Sequence, residues 1–305
     1  MDREPAVAGR FYPAGRDALA TEVAALLGAP VRRLGRRLGD WMGRRRAPAA
    51  GADAGGEAAE QPGAARGAPG AEAPVPALGV LAPHAGYVYS GGVAGATYAR
   101  VRVPDRVVVL CPNHTGRGAR VSLWPGGSWR TPLGDVPVDA ETTGALLAAG
   151  AAEADVEAHR LEHALEVQLP FLQARNPRVA LTALCLGPLA WPACRDLGEA
   201  VARAAGAAGA LVVASSDMSH YLPADVARRK DERALERVLA LDPRGLHEVV
   251  LREDISMCGF VPATVMLVAA LACGAREATL VRYAHSGEVT GDDGAVVGYA
   301  GVLVR

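Results

Sequence analysis

Side chains that bind metals or move protons stand at the ends of apolar runs in this sequence. Three runs lead directly into a histidine or an aspartate: Gly79-Val80-Leu81-Ala82-Pro83-His84, Val107-Val108-Val109-Leu110-Cys111-Pro112-Asn113-His114, and Leu211-Val212-Val213-Ala214-Ser215-Ser216-Asp217-Met218-Ser219-His220. A lone histidine in a turn is ordinarily a surface or hydrogen-bonding residue. Two histidines delivered by the same plan of strand, proline and imidazole can share one metal ion, since neutral imidazoles bind at about 2.0–2.2 Å. Around the first of them, Pro83 fixes the departing chain, and Gly86 with Gly91-Gly92 lets backbone come close to a ligand, with Tyr87 as a candidate wall.

The third run adds a carboxylate and an imidazole three residues apart. Asp217 at this spacing can orient the His220 ring and leave its other nitrogen free for proton transfer. The competing reading is a helix N-cap with His220 exposed. Cys258, in Ser256-Met257-Cys258-Gly259-Phe260, reads alone as a small buried cysteine. Beside two imidazoles, thiolate ligation competes, because thiolate plus imidazole suits zinc, copper or iron. The stretch from His159 to Pro170 pairs His159 with His163 and Glu162 with Glu166 at a spacing of four, one helix face for each pair. It does not have the His-Glu-x-x-His order of a zincin. Leu161, Leu165, Leu169 and Phe171 look like core, His159 like a solvent-facing residue, and Glu162 or His163 like candidates to line the pocket. His285, at another strand tip, is a further lining candidate, whereas His247 reads as a helix-surface residue.

The elements that must position these groups alternate along the chain. Strands are expected at 78–81, 106–110, 120–123, 179–186, 210–214, 279–283 and 296–304, and helices at 17–27, 140–149, 166–174, 190–205, 226–240, 243–251 and 262–273. That alternation predicts an α/β fold, and no second core is separable by a linker, so one domain spanning 1–305 is expected. In an open α/β sheet, ligands bind outside the carboxyl ends of the strands, which makes the three tips natural neighbours. The segment at about 29–76 is built mainly of Ala, Gly, Pro, Arg and Glu, too poor in apolar surface to offset its ordering entropy, and reads as a disordered insertion.

Composition narrows the function. With 32 basic and 33 acidic residues and a net charge of −1, the chain has no electrostatic footprint for nucleic acid or an anionic membrane. It has no apolar run long enough for a membrane span and no apolar signal core after Met1, so a cytoplasmic location is expected. Five widely spaced cysteines do not form a disulfide framework.

Seven motifs occur in order: 5–13 (Pro-Ala-Val-Ala-Gly-Arg-Phe-Tyr-Pro), Pro83-His84-Ala85-Gly86-Tyr87, Pro112-Asn113-His114-Thr115-Gly116, Thr131-Pro132-Leu133-Gly134, Glu162-His163-Ala164-Leu165-Glu166, Ser216-Asp217-Met218-Ser219-His220 and Cys258-Gly259. Together they resemble the Memo family, whose bacterial and archaeal members are called AmmeMemoRadiSam system protein B. The resemblance runs the length of the chain apart from the insertion. It implies a central mixed sheet flanked by helices, similar to class III extradiol (LigB-like) dioxygenases. It also implies His84, His114 and Cys258 as metal ligands, with His220 as acid/base and Asp217 beside it. Iron or copper is the implied metal, with zinc the weaker candidate. Extradiol enzymes use two histidines and a carboxylate, so the thiol at 258 means that ring cleavage does not follow. Gln168 and Ser219 stand where an animal relative has a histidine and a cysteine. Two readings follow: a metal-dependent oxidoreductase acting on a small molecule or peptide, or a non-catalytic accessory protein working with radical-SAM and AMMECR-type partners.

Overall fold

Four apolar strands, each buried on both faces, carry the tips. The computed structural model describes residues 1–28 and 73–305. The strands β2 (Gly79–Ala82), β9 (Leu211–Ser215), β3 (Arg106–Pro112) and β8 (Ala180–Leu186) lie side by side in that order and run parallel. The mixed character comes from the flanks. On one side β12 (Val296–Val304) pairs antiparallel with β2, and β10 (His220–Leu222) and β11 (Ala278–His285) pair antiparallel with β12. On the other, β4 (Val121–Leu123) pairs antiparallel with β8 and carries β7 (Glu153–Ala154). A smaller sheet joins β1 (Asp2–Arg3), β5 (Ser128–Thr131) and β6 (Gly134–Pro137).

Successive side chains alternate across the large sheet and build a core on each face. Leu81, Val108, Leu110, Val212 and Ala214 pack on one face with residues of α5 (Trp191–Ala208), α6 (Ala224–Leu239), α7 (Pro243–Arg252) and α8 (Phe260–Ala272). Val80, Ala82, Val107, Val109 and Val213 pack on the other with α1 (Arg16–Gly28), α2 (Gly92–Ala99), α4 (Leu169–Arg175) and the buried Trp129. The helix α3 (Ala140–Ala148) is started by Asp139, whose side chain accepts the Glu141 amide. A short last helix, α9, spans Gly287–Thr290.

The expected strands and helices are present with shifted ends, and the α/β class and the mixed sheet hold. Of the insertion expected at about 29–76, residues 29–72 lie outside the described residues. Beyond them Val75 bridges to Val101, and its amide donates to the carbonyl of Arg100. Among the described residues, no helix is long and apolar enough to cross a membrane, and the five cysteines are free thiols.

The approach of α2 to α1 depends on a missing side chain. A methyl group at Gly95 would run into the backbone carbonyl of Leu26. Alanine gains about 1 kcal/mol of helix propensity over glycine, but overpacking against rigid backbone costs about 1–3 kcal/mol or more. Gly95→Ala is therefore expected to lower the urea midpoint. An unchanged or raised midpoint contradicts the close packing.

Candidate metal centre

Because β2, β9 and β3 are parallel neighbours, their carboxyl ends open on one edge, with the β9 tip between the other two. His84 follows β2, His114 follows β3, and Asp217 follows β9. The His84 and His114 ring centroids lie 5.3 Å apart. A third imidazole joins them: among the described residues, His84, His114 and His163 form a group whose ligand atoms all lie within 4.8 Å of one another. His163 stacks on His114 at 5.0 Å and meets His84 edge-on at 5.5 Å.

Hydrogen bonds behind the rings decide which nitrogens are free. Ser215 Oγ donates its one proton to the carbonyl of Ala164 at 2.6 Å and accepts from Gln168 Nε2 at 2.8 Å. It therefore accepts from His84 Nδ1, 2.9 Å away, which puts the proton on Nδ1 and leaves the Nε2 lone pair bare. His114 is built alike. Its Nδ1 lies 2.9 Å from Glu162 Oε1, and its amide donates to Glu162 Oε2 at 2.7 Å, so the carboxylate fixes both ring and backbone. A donated Nδ1–H fixes tautomer and orientation and raises the ligand strength of the opposite nitrogen.

Electrostatics separate the two rings. Burial, reinforced by His163, His114 and His220, pushes the His84 pKa well below the ordinary imidazole value and keeps the ring neutral. Burial acts the same way on His114, but its bond and charge pairing with Glu162 outweigh it, and its pKa is raised. Burial works against ionisation of Glu162 too; the bonds from His114 and the Ala164 amide win and hold its carboxyl below the usual range. His163 is lowered by burial.

Cys258 reaches the site from a different element. Its Sγ lies 3.2 Å from His84 Nε2 and accepts the Asp217 amide at 3.3 Å. With Nε2 unprotonated, the thiol is the donor in the first of these bonds. Burial, with the nearby Asp217 charge, pushes the thiol pKa far up, so the proton stays on sulfur until a cation displaces it. Gly259 makes the approach possible, since a side chain there would overlap Ser215 and Ser216. The thiol thus adjoins His84 without belonging to the group whose donor atoms are mutually close.

Asp217 and His220 do not form the direct pair that their spacing suggested. Asp217 Oδ1 accepts the His84 amide at 2.7 Å, and burial raises its pKa to about 6 against that bond and the charge of His220. His220 is oriented by Ser256 instead: its amide donates to Ser256 Oγ at 2.8 Å, and its Nδ1 donates to the Ser256 carbonyl at 2.9 Å. Nε2 of His220 is left as the proton-accepting nitrogen. The N-cap alternative fails, because β10 and not a helix follows.

Other expectations change. Tyr87 is buried and spends its hydroxyl on the Val167 carbonyl at 2.7 Å, so it supports the pocket from behind. His285 stands beside Asp293, 3.8 Å away, and is not a member of the imidazole group. His247 is buried, 2.9 Å from the Leu189 carbonyl through Nε2, and not on the helix surface. Leu161, expected in the core, is 59% exposed. The cause is shared with His163: residues 159–165 form turns instead of a helix, so helical spacing does not sort their faces. Gln168 is fully buried as a brace, linking Ser215 and the Pro83 carbonyl to the Tyr98 hydroxyl.

His159, expected at the surface, is fully buried between Trp124 and Trp129, with neither ring nitrogen hydrogen-bonded. Burial, with the charge of Arg3, lowers its pKa to about 4. The unfolded chain, near 6.5, then takes up the proton first as pH falls. The neutral ring's contribution is full above about pH 6.5, is lost towards pH 4, and amounts to ~3 kcal/mol. Urea unfolding of His159→Phe is expected to show a shallower loss of stability between pH 6.5 and 4.5 than the parent. Parallel curves contradict this.

A family model described as "Memo-like protein" matches residues 66–303. A MEMO1 family protein of Methanopyrus kandleri is 39% identical over 312 aligned positions, covering 100% of this chain and 99% of the relative. One from Aquifex aeolicus is 40% identical over 225 positions, 73% of this chain and 84% of the relative. One from Thermotoga sp. is 35% identical over 316 positions, with both chains covered completely.

Proposed function

The chain belongs to the Memo-like family, and on that footing we propose that its pocket is a metal centre of a metal-dependent oxidoreductase acting on a small molecule or peptide. One observation carries the reading: two separate hydrogen-bond networks, one buried behind His84 and one behind the more exposed His114, leave the Nε2 atoms of both rings without a proton beside a third imidazole and a thiol. The donor chemistry fits a metal. Neutral imidazoles and a displaceable thiol proton are the forms that bind cations.

His84 and His114 supply two donors and Cys258 the third, while His163 packs against both rings. The metal is iron or copper: a thiolate with imidazoles suits either, and three protein donors leave positions for exogenous ligands. When bound, such an ion supplies Lewis acidity and one-electron chemistry. The chain's own part is proton handling and orientation. His220 Nε2, free while Ser256 holds Nδ1, accepts a proton from a group bound at the pocket and returns it. Asp217 keeps the β2 tip in place through the His84 amide, and its charge favours the protonated form of His114. No nucleic acid or membrane partner enters this reading. Its setting is the cytoplasm, and radical-SAM and AMMECR-type proteins are the candidate companions.

The test is cobalt(II) loading followed by oxygen-uptake measurements on the iron- and copper-loaded protein. Thiolate-to-cobalt charge transfer that disappears in Cys258→Ser but survives in His163→Ala supports the assigned third donor; cobalt bound by the parent without that band, and lost in His163→Ala, hands that place to His163. Oxygen uptake abolished in His220→Gln supports turnover. Metal binding without any uptake, in the parent and the variant alike, leaves a non-catalytic accessory protein.

A further inference from the structure

The motif at residues 5–13 and the strand before it lie far from the histidines in sequence, yet they grip the segment that carries one of them. Arg3 is buried, with 2% of its surface exposed. Its guanidinium spans three acceptors on one stretch of chain: Nε donates to the His159 carbonyl at 2.9 Å, one terminal nitrogen to the Glu162 carbonyl at 2.6 Å, and the other to Glu166 Oε2 at 2.6 Å. Glu166, fully buried, also accepts the amides of Ala6 and Val7 at 2.8 and 3.1 Å and the Tyr12 hydroxyl at 2.6 Å. The Arg3 fork lies over the Trp129 ring at 4.3 Å, and the two residues are paired across β1 and β5.

Resting on the metal reading above, we propose that Arg3 is a positioning residue of the pocket: acting through Glu166 and the carbonyls of His159 and Glu162, it sets the place of Glu162 and His163 against His84 and His114. The segment from 155 to 165 belongs to no strand or helix, so no ladder of hydrogen bonds fixes it. Glu162 must meet the His114 amide and ring at once, and the Glu162 carbonyl that Arg3 holds belongs to the peptide joining Glu162 to His163. Sites of this kind need their groups held to within about 0.5 Å. A buried ion pair is weak support for stability in itself, since well-packed apolar groups often serve as well. What a planar fork adds is geometry: three acceptors in fixed directions, which the single point charge of lysine cannot reproduce.

The experiment uses the full chain with cobalt(II) as probe, at temperatures where each variant is fully folded by circular dichroism. Arg3→Lys keeps the charge and loses the fork. It is expected to lower cobalt affinity about tenfold, the lower end for outer-shell partners of metal ligands, and to shift the ligand-field bands. Tyr12→Phe leaves Arg3 and Glu166 in place and removes one of the bonds that hold Glu166. About a threefold loss is expected, in line with one hydrogen bond, which keeps the test open if Arg3→Lys does not fold. Folded variants that bind cobalt with parental affinity and spectrum overturn the proposal, however far their melting points fall. If the parent itself binds no cobalt, the metal reading is what fails. The positioning role is then judged on the imidazole NMR signals of His163 in the metal-free protein: displacement in the variants sustains it, and coincidence with the parent overturns it.

Discussion

Glu166→Ala is expected to destabilise the protein by about 3–5 kcal/mol, the cost of leaving one member of a buried ion pair without its partner. The carboxylate is fully buried against Arg3, and it is also the acceptor for two backbone amides and a tyrosine hydroxyl. Alanine leaves the Arg3 charge uncompensated and three further donors stranded in a closed space. The urea midpoint reads the loss. The companion Arg3→Met/Glu166→Leu, which removes both charges, is expected to recover only the part due to the uncompensated charge, because the two amides, the tyrosine hydroxyl and the carbonyls that Arg3 held stay unpaired. A single variant within about 1 kcal/mol of the parent contradicts this view of the pair.

Glu162→Gln is expected to lower metal affinity about 10–100-fold, the range for partners that orient a ligating histidine, with little change in fold. Every contact that Glu162 makes to His114 and Ala164 is with a donor: the His114 amide, the His114 ring nitrogen and the Ala164 amide. An amide has one acceptor oxygen and one NH2 group, so one side must face an N–H with another N–H. Either the His114 ring turns or its backbone lets go, and in both cases its ligand nitrogen leaves the group it forms with His84 and His163. A competition titration against a chelating dye measures this, and parental affinity in the variant contradicts the role given to Glu162.

The legible part of the site is the part written locally. His84, His114 and Asp217 each follow an apolar strand in sequence, and parallel pairing of those strands brings the tips to one edge. The scaffold was legible for the same reason, since β2, β3, β8 and β9 are apolar along almost their whole length. The helix α2 was not delimited: apart from Val93 and Tyr98 it consists of small residues, and most of its surface is buried, so no amphipathic period marks it. His163, Leu161 and His159 were misplaced or underweighted together, because their spacing fits a helix while the chain forms turns. What overrides the local signal is long-range: Arg3 lies 156 positions from His159 and 163 from Glu166, and no pattern within a window of neighbours reports such a bond. Asp217 and His220 fail more narrowly. Their spacing permits a pair, but Ser256 takes the imidazole, and the His84 amide takes the carboxylate.

The central claim is that His84 and His114 share one ion, and anaerobic titration of the full chain with Fe(II) and Cu(I), beside His84→Ala and His114→Ala, tests it most directly. One tightly bound ion per chain, lost in both variants, is the predicted result; no saturable binding by the parent, or binding that survives both substitutions, contradicts it.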